Sequence, residues 1–233
     1  SVSAPFDVYI DRGLEFGTNR THSRGDSIGY ITPNLSGFQV YLQAKHYSER
    51  GTDSGNNQRD TSDEEIVAQG GVVYETGGLR LAAGFIDDKA IENATGTGRL
   101  TGSNVIGNDE VRYGATAQYQ FTPEFSARLG FETRDDNGDG PGEWGGGYDK
   151  YGLGMTYAVN QWAFNADIYH VDEDNQSDRL AWAAGAYYNI SSNFDVFLEL
   201  NQEDQPDISV GSGGVDTADG DDMYYLVGAR YHF

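Results

Sequence analysis

Residues 109–134 read DEVRYGATAQYQFTPEFSARLGFETR, and their spacing decides the fold. Val111, Tyr113, Ala115, Ala117, Tyr119 and Phe121 fall on one side of an extended chain, and Glu110, Arg112, Gly114, Thr116, Gln118 and Gln120 on the other. That two-residue period belongs to a strand with one apolar face. After Thr122, Pro123 and Glu124 it resumes, with Phe125, Ala127, Leu129 and Phe131 set against Ser126, Arg128, Gly130 and Glu132. Two alternating runs joined by a short polar turn predict an antiparallel hairpin.

Working outward, the same alternation predicts strands near 25–33, 37–47, 64–75, 79–87, 109–121, 125–134, 148–158, 162–172, 179–189, 194–202 and 221–233. The connections alternate between short turns (33–36, 76–78, 122–124, 159–161, 190–193) and longer loops (48–63, 88–108, 135–147, 173–178, 203–220). Short turns therefore gather at one end of the strands and long loops at the other. No linker or composition break divides the chain, so residues 1–233 are expected to form a single domain.

Composition narrows the function. The 233 residues carry 37 acidic and 15 basic side chains, a formal charge of −22, and no cysteine. Such a chain gains nothing from counterion release on a phosphate backbone, which argues against nucleic-acid binding. Without cysteine there are no disulfides, thiolate zinc sites or cysteine nucleophiles. No run approaches the ~20 apolar residues of a spanning helix. The N-terminus lacks the basic, apolar and small-residue pattern of a secretory signal, so a secreted form is expected to be a mature chain. Hydrophobic residues are scarce at 37%, while aromatics reach 13% and glycines number 32, about twice the ~7% glycine share of ordinary proteins.

A soluble β-sandwich also alternates, so the faces must be compared. Only His46, His170 and Asp149 interrupt the apolar faces, all near loop ends. The other faces carry Lys45, Glu65, Arg80, Glu110, Arg112, Arg128, Glu132, Arg134, Lys150, Asp167, Arg179, Asp195, Glu199, Asp222 and Arg230, among many glycines. Sandwich strands usually run about five or six residues, whereas strands near ten residues match the ~9–11 that cross a bilayer at a tilt of about 45°. Phe38, Tyr74, Phe121, Phe125, Tyr157, Trp162, Tyr188, Phe194, Tyr231 and Phe233 flank the short turns on the apolar side, forming one aromatic girdle of a transmembrane barrel. In lipid a β-structure must close to pair its backbone groups. The expected fold is all-β, a transmembrane antiparallel up-and-down barrel whose charged, glycine-rich face lines a wet lumen.

The net charge concentrates in the long loops, with Glu203, Asp204, Asp207, Asp216, Asp219 and Asp221 in the last. Asp135, Asn137, Asp139 and Gly140 are spaced like the start of a calcium loop, but its twelfth position is Gly146 where a bidentate glutamate is required. Solvated acidic loops are expected there, with loose divalent-cation binding as the alternative, and no cofactor.

Two stretches carry a family resemblance. The chain ends Tyr231, His232, Phe233, with Tyr225 and Val227 on the same face, similar to the terminal aromatic signal of Gram-negative outer-membrane barrels, which the insertion machinery reads. Leu14, Glu15, Phe16 and Gly17, followed by Arg20 and the run from Arg24 to Phe38, resemble the segment of general trimeric porins that leaves the constriction loop and enters the sixth and seventh strands. Leu14 and Thr18 stand where that pattern more often has proline and glycine. That family has sixteen strands, so the eleven predicted here would be its sixth to sixteenth. Residues 1–24 would be the constriction-loop segment and 25–233 barrel strands. The alternative is a twelve-stranded barrel with a strand over 5–16, but its outward face would then carry Arg12 in mid-strand, at a cost of about 2–4 kcal/mol in lipid. A chain that begins inside the loop, forming the C-terminal two-thirds of a larger barrel, avoids that cost.

The resemblance implies an outer-membrane diffusion pore for ions and small hydrophilic solutes, and a homotrimer set in a bilayer containing lipopolysaccharide. Glu15 matches the loop motif, and Asp11 and Asp7 share its segment as further constriction carboxylates. Arg80, Arg112, Arg128, Glu110, Glu132 and Lys45 are expected on the lumen wall by alternation. The arginines there are expected either to face the constriction or simply to pair with Glu110 and Glu132. Acidic loops should enrich cations at the mouth, so cation preference is expected. Small residues on the apolar face, Ala68, Gly70, Ala115, Ala117, Ala184 and Ala186, would suit either protein contact or lipid. A barrel enzyme, protease or lipase, is the rival, as is a surface receptor or adhesin acting through the loops. An enzyme needs an activated nucleophile or water beside a base. Of the four histidines, His46 and His170 fall on the lipid side, His232 is penultimate, and His22 alone can reach the lumen, so no catalytic residue is expected.

Overall fold

The computed structural model describes residues 2, 4–6, 8–9, 26–47, 65–87, 111–134, 147–173, 177–202, 208–209, 217–218 and 223–231. Its strands are β1 Asp26–Ile31, β2 Phe38–Tyr47, β3 Glu65–Thr76, β4 Leu79–Asp87, β5 Val111–Gln120, β6 Phe125–Arg134, β7 Tyr148–Val159, β8 Trp162–Glu173, β9 Arg179–Ser191, β10 Phe194–Gln202, β11 Ile208–Ser209, β12 Thr217–Ala218 and β13 Tyr224–Tyr231. The eleven long strands lie where the alternation predicts them, with ends displaced by at most three residues. They form one antiparallel sheet in which each pairs with its sequence neighbour, and β10 pairs with β13. Among the described residues, β1 and β13 are the two ends of this sheet.

One detail departs from the expectation. The segment 203–220, expected as loop, contains a small ribbon of β11 and β12, each two residues long. An alternation of two residues is too short to register as a strand in the sequence. Near the N-terminus, where a strand over 5–16 is the alternative reading, Ala4–Phe6 form a single 3-10 turn. Apart from these residues and Val8 and Tyr9, the span 5–16 lies outside the described residues.

The short connections show why the strands turn back where they do. The β3–β4 and β7–β8 hairpins have two-residue loops, Gly77-Gly78 and Asn160-Gln161, whose first residues take φ of 53° and 54°. Tight hairpins need a left-handed residue there so that the turn follows the strand twist, and glycine and asparagine bear it at least cost.

The sheet is inverted relative to a soluble domain. On β6, Leu129 is 56% exposed while its neighbour Arg128 is 1% exposed. The convex face shows Tyr113, Leu129, Tyr151, Leu153, Met155, Phe164 and Ile168 to the surroundings, while Arg128, Glu132, Asp167, Asp195 and Glu199 are buried on the concave face. The outward aromatics cluster at the short-turn end. Trp162 lies 4.7 Å from Tyr188 and 5.6 Å from Phe164, and Phe121 stacks on Phe125 at 5.5 Å. Tyr231 ends β13 among the exposed aromatics, while Phe233 lies outside the described residues.

Candidate functional site

The concave wall holds a short piece of chain from the N-terminus. Val2, Pro5 and Phe6 are buried, because this run is apolar and the wall offers an apolar patch to receive it. Phe6 packs in a cluster with Tyr169, Ala181 and Ala183, bordered by Tyr9. Its ring lies 6.0 Å from that of Tyr169 and 5.6 Å from the Arg128 guanidinium carbon, the latter within cation–π range.

The segment's backbone is held by wall side chains from three strands. Thr116 on β5 donates its hydroxyl to the Val2 carbonyl at 2.6 Å. Asn165 on β8 donates to the Val8 carbonyl at 3.2 Å. Tyr187 on β9 has its hydroxyl 2.5 Å from Glu199 Oε1 and 3.2 Å from the same carbonyl. In return, the Tyr9 hydroxyl donates to the Ala183 carbonyl at 3.0 Å. Burial, and then the neighbouring Asp167 carboxylate, push the Tyr9 phenol well above its ordinary pKa, so it stays a neutral donor.

Beneath this segment lies an ion pair. Arg128 Nε and Nη2 donate to the two Asp167 oxygens at 2.9 and 2.6 Å, and neither side chain is exposed. Arg128 Nη1 donates to Thr156 Oγ1 at 2.7 Å, and Thr156 donates to Asn165 Oδ1 at 2.7 Å. A chain of donors thus runs from the guanidinium to the asparagine that holds Val8. Arg128, Gly154 and Asp167 are cross-strand partners in one row over β6, β7 and β8. Two strand spacings, about 10 Å, separate the outer two, and they meet over the middle because Gly154 has no side chain. A Cβ there would fall within the Asp167 carboxylate and 2.5 Å from Arg128 Nε.

The same device recurs along the wall. Tyr41 lies over Gly71, Tyr187 over Gly185 and Phe197 over Gly228. Large concave-face side chains therefore lie along the wall, each on a glycine of its own or the adjacent strand.

A second charged row sits toward the long-loop end. Arg112 and Arg134 are direct cross-strand partners, with guanidinium carbons 5.9 and 5.1 Å from the Tyr148 ring centre. Glu132 accepts a hydrogen bond from the Tyr148 hydroxyl and lies 3.6 Å from Lys150 Nζ. At the short-turn end Arg80 pairs with Glu75 at 3.0 Å, and Arg230 with Asp195 at 3.1 Å.

Arg80, Arg112, Arg128 and Glu132 share the concave face. Arg128, expected either to face the constriction or to pair with Glu110 or Glu132, is bound to Asp167, because Gly154 opens a path across a whole strand. Lys45 lies on β2 opposite Ser27 and Val67. Asp7, Asp11 and Glu15, together with Glu110, Asp135, Asn137 and Asp139, lie outside the described residues. Sequence reasoning missed Asp167, Thr156, Asn165, Tyr187 and Glu199 as holders of the segment, and Phe6 and Tyr9 as its anchors. The available signal was the row Arg128, Gly154, Asp167, which becomes visible once hairpin registers are written out. His170, facing outward, is 3.5 Å from Asp178.

A model of the Gram-negative porin family matches residues 3–208. Among solved structures, an anion-selective porin from Comamonas acidovorans is similar at 20% identity and a TM-score of 0.58, covering 89% of this chain and 59% of that one. A substituted form of the Rhodobacter blastica porin is similar at 19% identity and a TM-score of 0.53, covering 89% and 55%. A loop-deletion form of the outer-membrane protein OmpT of Vibrio cholerae gives 16% identity and a TM-score of 0.60, covering 99% and 72%. Among curated proteins no sequence match is found. The chain spans little more than half the length of the Comamonas and Rhodobacter proteins. The inverted sheet, the aromatic girdle and a family match that runs through nearly every strand agree: the chain belongs to the Gram-negative porin family, and its place is the outer membrane.

Proposed function

We propose that this chain forms the wall and constriction of a water-filled pore for passive diffusion of ions and small hydrophilic solutes. The observation that carries it is the polar, charged concave face with an N-terminal segment held across it. Water-filled barrels have polar interiors and apolar exteriors, and selectivity in them follows the charges and width of the lining. The family supports a channel rather than an enzyme.

In this reading residues 1–24 are the constriction segment and 25–233 the barrel wall, and Asp7, Asp11 and Glu15 supply carboxylates to the narrowest zone. Phe6 and Val8, on either side of Asp7, both touch the concave wall, which supports that assignment. With 37 acidic against 15 basic residues, the pore prefers cations. The Comamonas relative is anion-selective, so selectivity is a property of each member's side chains. The working assembly is a trimer.

The test is a planar-bilayer recording of the full-length protein across a salt gradient. A reversal potential of cation-selective sign, with closures in threes, is expected. Asp7→Asn, Asp11→Asn and Glu15→Gln should each move that potential toward zero. An anion-selective sign would overturn the charge assignment, and a folded, inserted but silent protein would overturn the pore.

A further inference from the structure

The convex face of β3 to β6 is not a uniform apolar surface. Ala83, Ala115 and Ala117 leave a depression on β4 and β5, bordered by Val72, Tyr74 and Leu81 on one side and by Leu129 and Phe131 on the other. The trough holds about 510 Å³ and is open to the surroundings. Register shows why it is continuous: Val72, Ala83, Ala115 and Phe131 form one cross-strand row, and Tyr74, Leu81, Ala117 and Leu129 the next.

We propose that this trough binds a single acyl chain of a phospholipid from the periplasmic leaflet. Its lining is almost wholly apolar, and the face lies in the membrane. In the row of Ala83 and Ala115 the flanking strands are about 14 Å apart, three spacings of ~4.8 Å. Their side chains narrow that gap below the ~10–12 Å diameter of a helix, leaving room for a hydrocarbon chain. Eleven residues line the trough, far fewer than the ~20–30 per side of a stable protein interface, which disfavours a second copy. Depth fixes the leaflet. The trough runs from mid-strand, at Ala83 of Leu79–Asp87 and Ala115 of Val111–Gln120, toward the short turns at Leu81 and Ala117, and the short turns face the periplasm in outer-membrane barrels. Tyr119, paired with Leu79 in the next row toward the rim and edge-on to Phe121 at 4.9 Å, stands where an amphipathic ring meets headgroups.

The test titrates palmitoyl-oleoyl phosphatidylethanolamine into the full-length protein in detergent and follows adducts by native mass spectrometry. One saturating phospholipid per chain is expected. Ala115→Leu/Ala117→Leu, which raises the floor, should weaken that first adduct about tenfold. The control Ala184→Leu/Ala186→Leu, with the same change on the convex face of β9, should leave it intact. If the double variant does not fold, Ala83→Leu carries the same test from β4. Equal lipid retention by the filled and control variants would overturn the site. A change of oligomeric mass in the filled variant would assign the trough to a second copy instead, and stronger competition by lipopolysaccharide would assign it to the other leaflet. Insertion of the control variant into liposomes keeps a failure here separate from a failure of the membrane assignment.

Discussion

Arg128 and Arg80 project from the same concave wall. The first reaches across an entire strand to Asp167, with both side chains fully enclosed, while the second pairs with its immediate cross-strand neighbour Glu75, which is 55% exposed. The chemistry is one guanidinium and one carboxylate in both cases, and the surroundings decide what it does. Enclosed charges have given up their water, so each depends on its partner and on the further donors and acceptors around it. Exposed charges exchange one good partner for another at little cost. The enclosed pair also carries structure above it, since Phe6 rests on Arg128 and the donor chain through Thr156 and Asn165 ends on Val8.

The largest effect should come from breaking the enclosed pair on one side. Asp167→Ala leaves a buried, unpaired guanidinium and is expected to cost about 3–5 kcal/mol, read as a lowered midpoint of urea unfolding in detergent. Gly154→Ala attacks the same pair without touching either charge. Its new methyl group must displace the carboxylate or the guanidinium, an overpacking expected to cost about 1–3 kcal/mol, measured in the same way. Glu75→Ala should change stability by less than about 1 kcal/mol. If it cost as much as Asp167→Ala, the contrast between enclosed and open pairs would be wrong.

The smallest effect is one of pH and concerns the segment above the pair. The Tyr9 phenol has a raised pKa in the folded protein, so its contribution is complete below the ordinary tyrosine value of about 10. It declines as pH rises from there toward the folded value, because the unfolded chain sheds its proton first. Stability should therefore be flat through neutral pH and fall at alkaline pH, with a shallower fall in Tyr9→Phe. Equal slopes in the two proteins would remove Tyr9 from that role.

How much of this was legible beforehand follows the range of each signal. Strand identity is local. Val111 to Gln120 and Phe125 to Arg134 alternate strictly, and the turn between them contains proline, so one hairpin can be read from 26 consecutive letters. The direction of each side chain follows from the same parity, which is why Arg80, Arg112, Arg128 and Glu132 could be assigned to the inner face. Pairing is not local. Arg128 and Asp167 are 39 residues apart, and their meeting depends on two successive hairpin registers and on a glycine between them. The N-terminal anchors were harder still. Val2, Phe6 and Tyr9 form no periodic element, and their partners Thr116, Tyr169 and Ala183 lie more than a hundred residues along the chain. A resemblance to a constriction loop draws attention to the carboxylates of this segment and says nothing of the apolar residues that seat it.

The glycines of the concave wall have a consequence for thickness. Where Tyr41, Arg128, Tyr187 and Phe197 recline on Gly71, Gly154, Gly185 and Gly228, the layer of side chains on the wall is thin for the volume it contains. A single methyl group at one of those four positions would push its neighbour away from the sheet. The depth of that layer is thus written in the residues that have no side chain.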